Sequence, residues 1–260
     1  ASKKTAIFYY VWQKLKEMER EKKAIVVGAT SGIGRAIAQL LLSQGYSVGI
    51  LGRREELLKE IESATNGVLY WETLDVTQID KIAPTLDRLE ERLGGVDYFF
   101  HSAGWGKRNH NLDLDIELLT TTTNVEGFVA SLNWAYRYFE GRGGGSLAAI
   151  SSFAGLRGFA LSPSYSASKS FQMTYLEGLR QKSCTSKAKI GVTDIRAGFV
   201  DTDMGNGAGA FWQCSPEVAA KQIVRAVLRD RDVAYVTKRW VVLSWFVRAL
   251  PRSIFKRIKL

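Results

Sequence analysis

Gly28-Ala29-Thr30-Ser31-Gly32-Ile33-Gly34 joins a short apolar run, residues 24–27, to a segment in which Ile33, Ile37, Leu40 and Leu41 recur at helical spacing until Gly45. Strand, tight turn and helix follow in that order. A turn with side chains missing at three positions lets an anion approach the backbone. The helix that opens there adds free amide groups and the positive end of its dipole. The context makes the glycines more than a bend: a glycine-rich turn carries weight when it leaves a strand and opens a helix, as it does here.

The unit then repeats. Strands are predicted at 47–51, 69–74, 96–101, 146–151 and 189–195, alternating with helices at 55–64, 77–93, about 115–140 and 164–182. Such alternation predicts an α/β protein, a parallel sheet of about seven strands wound on both faces. Pro216 at a first helical position predicts a helix to about 229, and 233–236 a last strand. Between them Gly198, Gly205, Gly207 and Gly209, with Met204, Phe211 and Trp212, read as a flexible flap. Residues 1–22 place Ile7, Phe8, Val11, Trp12 and Leu15 on one helical face, an amphipathic extension that suits packing on the body or a membrane or partner contact. Met18 stands just before the first strand as an economical alternative start. The expected organisation is an N-terminal extension, 1–22, a dinucleotide-binding and catalytic domain, 23–238, and a basic amphipathic tail, 239–260.

The net charge of +10 is concentrated at the end of the chain. From Arg231 onward eight cations face Asp232 alone, a local balance of +7. They are interleaved with Trp240, Trp245, Phe246, Phe255 and aliphatic residues, a pattern that favours an anionic membrane surface over nucleic acid, with a C-terminal helix capping the pocket or a subunit contact as the alternative. No run of eighteen apolar residues and no cleavable leader is evident. Cys184 and Cys214 lack metal-ligand spacing, so neither a zinc site nor a disulfide scaffold is expected, and a reducing, cytoplasmic setting fits.

Two further features carry chemistry. The second strand ends in Gly52-Arg53-Arg54, where NAD-preferring dinucleotide folds place an acid for the adenosine ribose. A guanidinium there pairs with a ribose 2′-phosphate, so NADP(H) is expected, with Arg53 the first choice and Arg54 the second. Arg35 fits either the phosphate region or an exposed helix face. Tyr165 and Lys169 lie four apart, thirteen residues beyond Ser152. Residues four apart share a helix face, so the lysine can lower the pKa of a phenol that otherwise titrates near 10. Ser152 at a strand end can bind a substrate oxygen on which charge develops. Alternation on a strand points Ser151 the other way.

In these residues the chain resembles the short-chain dehydrogenase/reductase family over roughly 23–236. The resemblance implies a Rossmann-like sheet and a tetrad of Asn124, Ser152, Tyr165 and Lys169, with Asn124 fixing a water that relays protons toward Lys169. It implies cofactor contacts from Gly28, Thr30, Ser31, Gly32, Ile33 and Gly34 on the turn, from Asp75 and Val76 at the adenine, and from Ala103 and Gly104. Val200, Thr202, Tyr165 and Lys169 are implied at the nicotinamide, with Lys169 also on its ribose. His101-Ser102-Ala103-Gly104 stands where the family usually has Asn-Asn-Ala-Gly, and Ala197 where it has proline. His101 reads as a satisfied structural residue and His110 as a loop residue. The closing segment from Arg248 to Arg257 is similar to the ends of polyprenylphosphoryl keto-sugar reductases.

The expected function is NADPH-dependent reduction of a ketone, or the reverse, with Tyr165 as proton donor. The substrate is expected to be a small carbonyl or alcohol compound, apolar or lipid-linked, held by the flap with Phe153, Leu156 and Phe159. A homodimer or homotetramer is implied by the resemblance, and the expected location is cytoplasmic, with the tail able to extend it to the inner face of a membrane. The competing reading is a catalytically silent nucleotide-binding regulatory protein or a membrane-associated interaction module.

Overall fold

Alternate side chains of the first strand serve opposite cores. In β1 (Lys23–Val27) Ala24 and Val26 pack on one side of the sheet, and Ile25 and Val27 on the other. A strand buried on both faces reads as a continuous apolar run, which is why residues 24–27 show no polar alternation. The computed structural model describes residues 21–205 and 211–258. The expected amphipathic helix over 1–22 therefore lies almost wholly outside the described residues, as do Gly207 and Gly209 of the expected flap.

In chain order the elements are β1, α1 (Gly32–Ser43), β2 (Ser47–Gly52), α2 (Glu55–Ser63), β3 (Leu69–Thr73), α3 (Ile79–Leu93) and β4 (Tyr98–His101). There follow α4 (Leu114–Thr121), a π-helical turn (Thr122–Gly127), α5 (Phe128–Arg142), β5 (Gly144–Ser152), a 3-10 turn (Phe153–Leu156) and α6 (Pro163–Thr185). The last are β6 (Lys189–Ala197), α7 (Pro216–Val227), β7 (Val233–Val236), α8 (Arg239–Ala249) and α9 (Arg252–Phe255).

The seven strands run parallel in the order β3-β2-β1-β4-β5-β6-β7. Ile37, Leu41, Leu58, Ile61, Ile223 and Val227 from α1, α2 and α7 close one face. Leu86, Leu89, Phe128, Leu132, Phe139 and Leu176 from α3, α5 and α6 close the other. The chain winds outward from β1 to β3, then crosses back to place β4 on the other side of β1. The connections after β1 and β4 therefore lead to opposite faces of the sheet, and the strand ends at such a switch point are the usual ligand position in such sheets.

Several element bounds differ from the sequence expectation by one to three residues, and two differences have a physical reason. The helix expected over 115–140 is interrupted by a π turn at Thr122–Gly127. One residue too many per turn has no signature in apolar spacing. The strand expected from Ser146 begins at Gly144, because glycines usually assigned to turns here pair with Lys189 and Ile190 of β6.

Candidate active site

The turn after β1 is built by close backbone approach. Gly28 adopts φ +84, and a Cβ there would lie 2.5 Å from the amide nitrogen of Ala103; one on Gly34 would lie 2.1 Å from the Gly28 carbonyl oxygen. Any side chain would push the two loops apart. Gly28 and Ala29 both donate to the Leu51 carbonyl at 2.8 and 2.9 Å, and Ser102 donates to that of Val27, so the loops after β1, β2 and β4 form one unit. Ser31 caps α1 without engaging its hydroxyl, and no acid stands in the first helical turn. These are the properties an anionic dinucleotide requires: unoccupied donors, a positive dipole end and a floor without side chains. Thr202 comes against the same turn, its Cγ2 2.9 Å from where a Gly32 Cβ would be. Val200 beside it is buried and bridges to Cys214.

The two arginines separate here. Arg54 folds onto the turn, its Nη2 donating to Thr30 Oγ1 at 3.0 Å and to Ser31 Oγ at 2.7 Å. Arg53, the first choice from sequence, is exposed, and Arg35 pairs with Glu60 at 2.6 Å. Asp75 is half-buried at the end of the neighbouring loop, accepting from the Thr77 amide and hydroxyl at 3.0 and 2.9 Å, and Val76 packs beneath it. Ala103 and Gly104 are half-buried on the β4 loop, and Ile33 is half-buried at the start of α1.

On the other side of the crevice β5 delivers Ser152 and α6 delivers Tyr165 and Lys169. Ser151 turns away and hydrogen-bonds buried Asp194, whereas Ser152 Oγ accepts from Ala154 N at 3.1 Å and also hydrogen-bonds Tyr165. Burial raises the Tyr165 pKa, and the bond to Ser152 partly offsets this. Lys169 Nζ stands 5.7 Å from the Tyr165 ring centroid and donates to Ile150 O and to Gln172 Oε1, both at 2.9 Å. Burial pushes its pKa down to about 8, against the opposing pull of Asp194.

The expectation that Lys169 acidifies the phenol thus differs from the geometry of the chain by itself. The ammonium is spent on a carbonyl and an amide and is itself desolvated, so the phenol keeps its proton. A second difference concerns Asn124. Its side chain clamps Trp105, accepting from the amide at 2.8 Å and donating to the carbonyl at 2.7 Å, and reaches Ser168 Oγ at 3.1 Å. Its carbonyl accepts from Gln172 Nε2 at 2.8 Å. Gln172, fully buried, therefore spans Asn124 and Lys169, the two residues that the resemblance links through a water. Gln172 and Asp194 were not singled out from sequence, and only Gln172 had a signal: a polar residue at i+3 from Lys169 on the buried face of a helix.

His101 departs from its expectation too. It is 1% exposed, neither ring nitrogen has a hydrogen-bond partner, and burial with Lys169 nearby lowers its pKa to about 3. The Ala103 backbone nearby opposes that shift only weakly. Beyond Ser152, Phe153 meets Phe159 and Trp240, and Trp240 meets Phe199, Phe211 and Trp212, an aromatic wall joining the catalytic loop to α8. A groove of about 540 Å³ lined by Arg157, Phe159, Ser166, Ala167 and Ser170 lies on the side of α6 turned away from Tyr165 and Lys169, by the helical step from those residues. Among the described residues no cluster of His, Cys, Asp and Glu could hold a metal.

The short chain dehydrogenase family model matches residues 22–211. The chain belongs to the short-chain dehydrogenase/reductase family. An uncharacterized oxidoreductase from Myxococcus xanthus is 35% identical over 188 residues, covering 70% of this chain and 74% of the relative. The human 3-oxoacyl-[acyl-carrier-protein] reductase is 29% identical over 186 residues, 71% of this chain and 78% of that one. A short-chain dehydrogenase/reductase structure from Mycobacterium ulcerans superposes with a TM-score of 0.76 at 23% identity, covering 92% of this chain and 98% of the other. A 3-ketoacyl-ACP reductase structure from Sinorhizobium meliloti gives 0.71 at 24%, covering 82% and 96%. The two structures share the seven-stranded fold; as a member of this family the protein is an oxidoreductase using NAD(P)(H).

Proposed function

We propose that the protein is an NADPH-dependent reductase of ketones, able to run the reverse reaction, with 23–238 as its catalytic body. The observation that carries the reading is the convergence of Ser152, Tyr165 and Lys169 on the crevice opened by the glycine turn. When bound, the nicotinamide supplies the hydride that reaches the carbonyl carbon. Tyr165 gives its proton to the carbonyl oxygen, for which a phenol held protonated at neutral pH is suited. Ser152 Oγ donates to the same oxygen as negative charge grows on it. Lys169 holds Tyr165 and the ribose in register, and Thr202 with Val200 borders the nicotinamide end. Arg54, already bonded to Thr30 and Ser31, supports preference for a 2′-phosphate, with Arg53 beside it.

Phe153, Phe199 and Phe211 support a partly apolar substrate, and the name of the human relative puts 3-oxoacyl thioesters beside steroid, keto-sugar and lipid-linked ketones as candidates. Exposed Leu118 of α4, with Phe171 stacked on Tyr175 of α6, supports a homodimer or homotetramer. Titration with NADPH and NADH, followed by a ketone panel spanning these classes, tests the reading. Tyr165→Phe is expected to leave NADPH affinity nearly intact and to lower kcat by about 10²–10⁴-fold. Full activity in that variant removes Tyr165 as donor. NADPH uptake with no turnover on any ketone favours the silent binding protein instead.

A further inference from the structure

We propose that α8 and α9 form a docking surface for an anionic lipid bilayer. α8 is anchored by one face: Trp240, Ser244 and Val247 are buried, and Arg157 donates to the carbonyls of Val247 and Leu250 at 3.2 and 2.8 Å. The other face carries Val241, Val242, Trp245 and Phe246, exposed by 47, 72, 74 and 56%. A helix spends such residues on solvent at a cost, and here they are neighbours, flanked in the helical step by Arg239 on one side and Arg248 on the other. In the segment that follows, Ile254 and Ile258 are exposed by 51 and 39% among Arg252, Lys256 and Arg257, the same mixture of apolar and basic residues. Trp212, 45% exposed, continues it past Arg239, whose guanidinium lies 5.9 Å from the indole.

Charge decides what can cover this face. From Val233 to the end of the chain there is no Asp or Glu, and among the described residues none of Lys238, Arg239, Arg248, Arg252, Lys256 and Arg257 has a carboxylate partner. A second copy bound through the same face would set these cations against themselves, because a twofold contact pairs each patch with its own image. The extension 1–22 is no better an occupant, since Lys3, Lys4, Lys14, Lys16, Arg20 and Lys22 outnumber Glu17, Glu19 and Glu21, and its apolar stretch up to Lys16 carries no acid. Nucleic acid would match the charge but not the aliphatic and indole centre of the stripe. An apolar centre with a basic rim matches the boundary between acyl chains and anionic head groups. No helix among the described residues is long and apolar enough to cross the bilayer, so contact is at one leaflet. The buried side of the same helix touches Phe153, next to Ser152, so docking brings the mouth of the site beside the lipid.

The test is flotation of the full chain with vesicles of phosphatidylcholine alone or mixed with phosphatidylglycerol. Binding is expected only to the mixed vesicles and should weaken with salt. Val242→Ser with Trp245→Ser, and separately Arg248→Glu with Arg252→Glu and Arg257→Glu, should each lower the bound fraction by at least about tenfold, with unchanged thermal melting in solution. Binding that ignores both sets overturns the proposal, as does an absence of binding to either vesicle. A change of mass in sedimentation for the serine pair, or retention on a DNA duplex without vesicle binding, likewise overturns it. Flotation reads neither cofactor nor turnover, so its failure leaves the reductase reading standing.

Discussion

Arg53 and Arg54 are adjacent in sequence and differ in reach. Both follow Gly52, but Arg54 is the residue immediately before α2, and from there its guanidinium lies across Thr30 and Ser31. Arg54→Ala is therefore expected to raise KM for NADPH on the order of tenfold and to leave that for NADH nearly unchanged; equal effects on the two cofactors in steady-state kinetics would remove Arg54 from phosphate recognition. Gln172 is a positioning residue of another kind, accepting from Lys169 and donating to the Asn124 carbonyl. Because Oε1 stabilises the charged ammonium, losing it lowers the Lys169 pKa further. The alkaline limb of kcat/KM for reduction, expected near the free-enzyme value of about 8, should move to lower pH in Gln172→Leu and to higher pH in Gln172→Glu. A limb that stays in place in both variants would mean the amide only fills space. That Ser152, Tyr165 and Lys169, the residues proposed to do the chemistry, come together is legible from their spacing. Which arginine meets the turn, and what bridges Asn124 to Lys169, depend on rotamers that one sequence does not encode in any local pattern.

At the scale of elements, period and punctuation revealed the alternating strands and helices. The π turn over Thr122–Gly127 escaped because its apolar residues remain compatible with an unbroken helix. Yet that turn sets Asn124 against Trp105 and Gln172, so the segment least visible in the sequence aligns part of the site. The loop after β4 has a similar hidden constraint. A Cβ on Gly106 would lie 2.5 Å from Tyr165 Cδ2, so the loop passes over the ring only because the position is bare. Gly106→Ala must displace the ring or the loop. A shift near 1 Å at a reacting group costs about 100-fold, so kcat should fall by that order while NADPH affinity, set by the turn after β1, is kept. Stopped-flow single turnovers with NADPH prebound separate the two. An unaltered hydride-transfer rate would show that the loop yields without moving the phenol.

For the molecule as a whole, the cost of the departure at His101 appears as acid sensitivity. The ring sits at the end of β4, 1% exposed, edge-on to Phe128 at 5.4 Å, with both nitrogens unpartnered. Its folded pKa, about 3, is depressed from the ordinary 6.5 chiefly by burial and then by Lys169. Lys169 is the charged group that acts on the imidazole, whereas Asp194 acts on the lysine. Between pH 6.5 and about 3 the unfolded chain binds a proton that the folded chain refuses, so stability falls as pH falls through that window and is unaffected by this group above it. His101→Asn removes the titration without enlarging the side chain. Urea unfolding of the two proteins should give a difference that is flat above pH 6.5. Below it, wild type should lose ground on the order of 1 kcal/mol per pH unit. Acidic groups elsewhere titrate alike in both chains and cancel in the comparison. Parallel stability curves down to pH 4.5 would mean that the folded protein admits a proton or water to His101, and that the sheet beside the active crevice opens more readily than its packing implies.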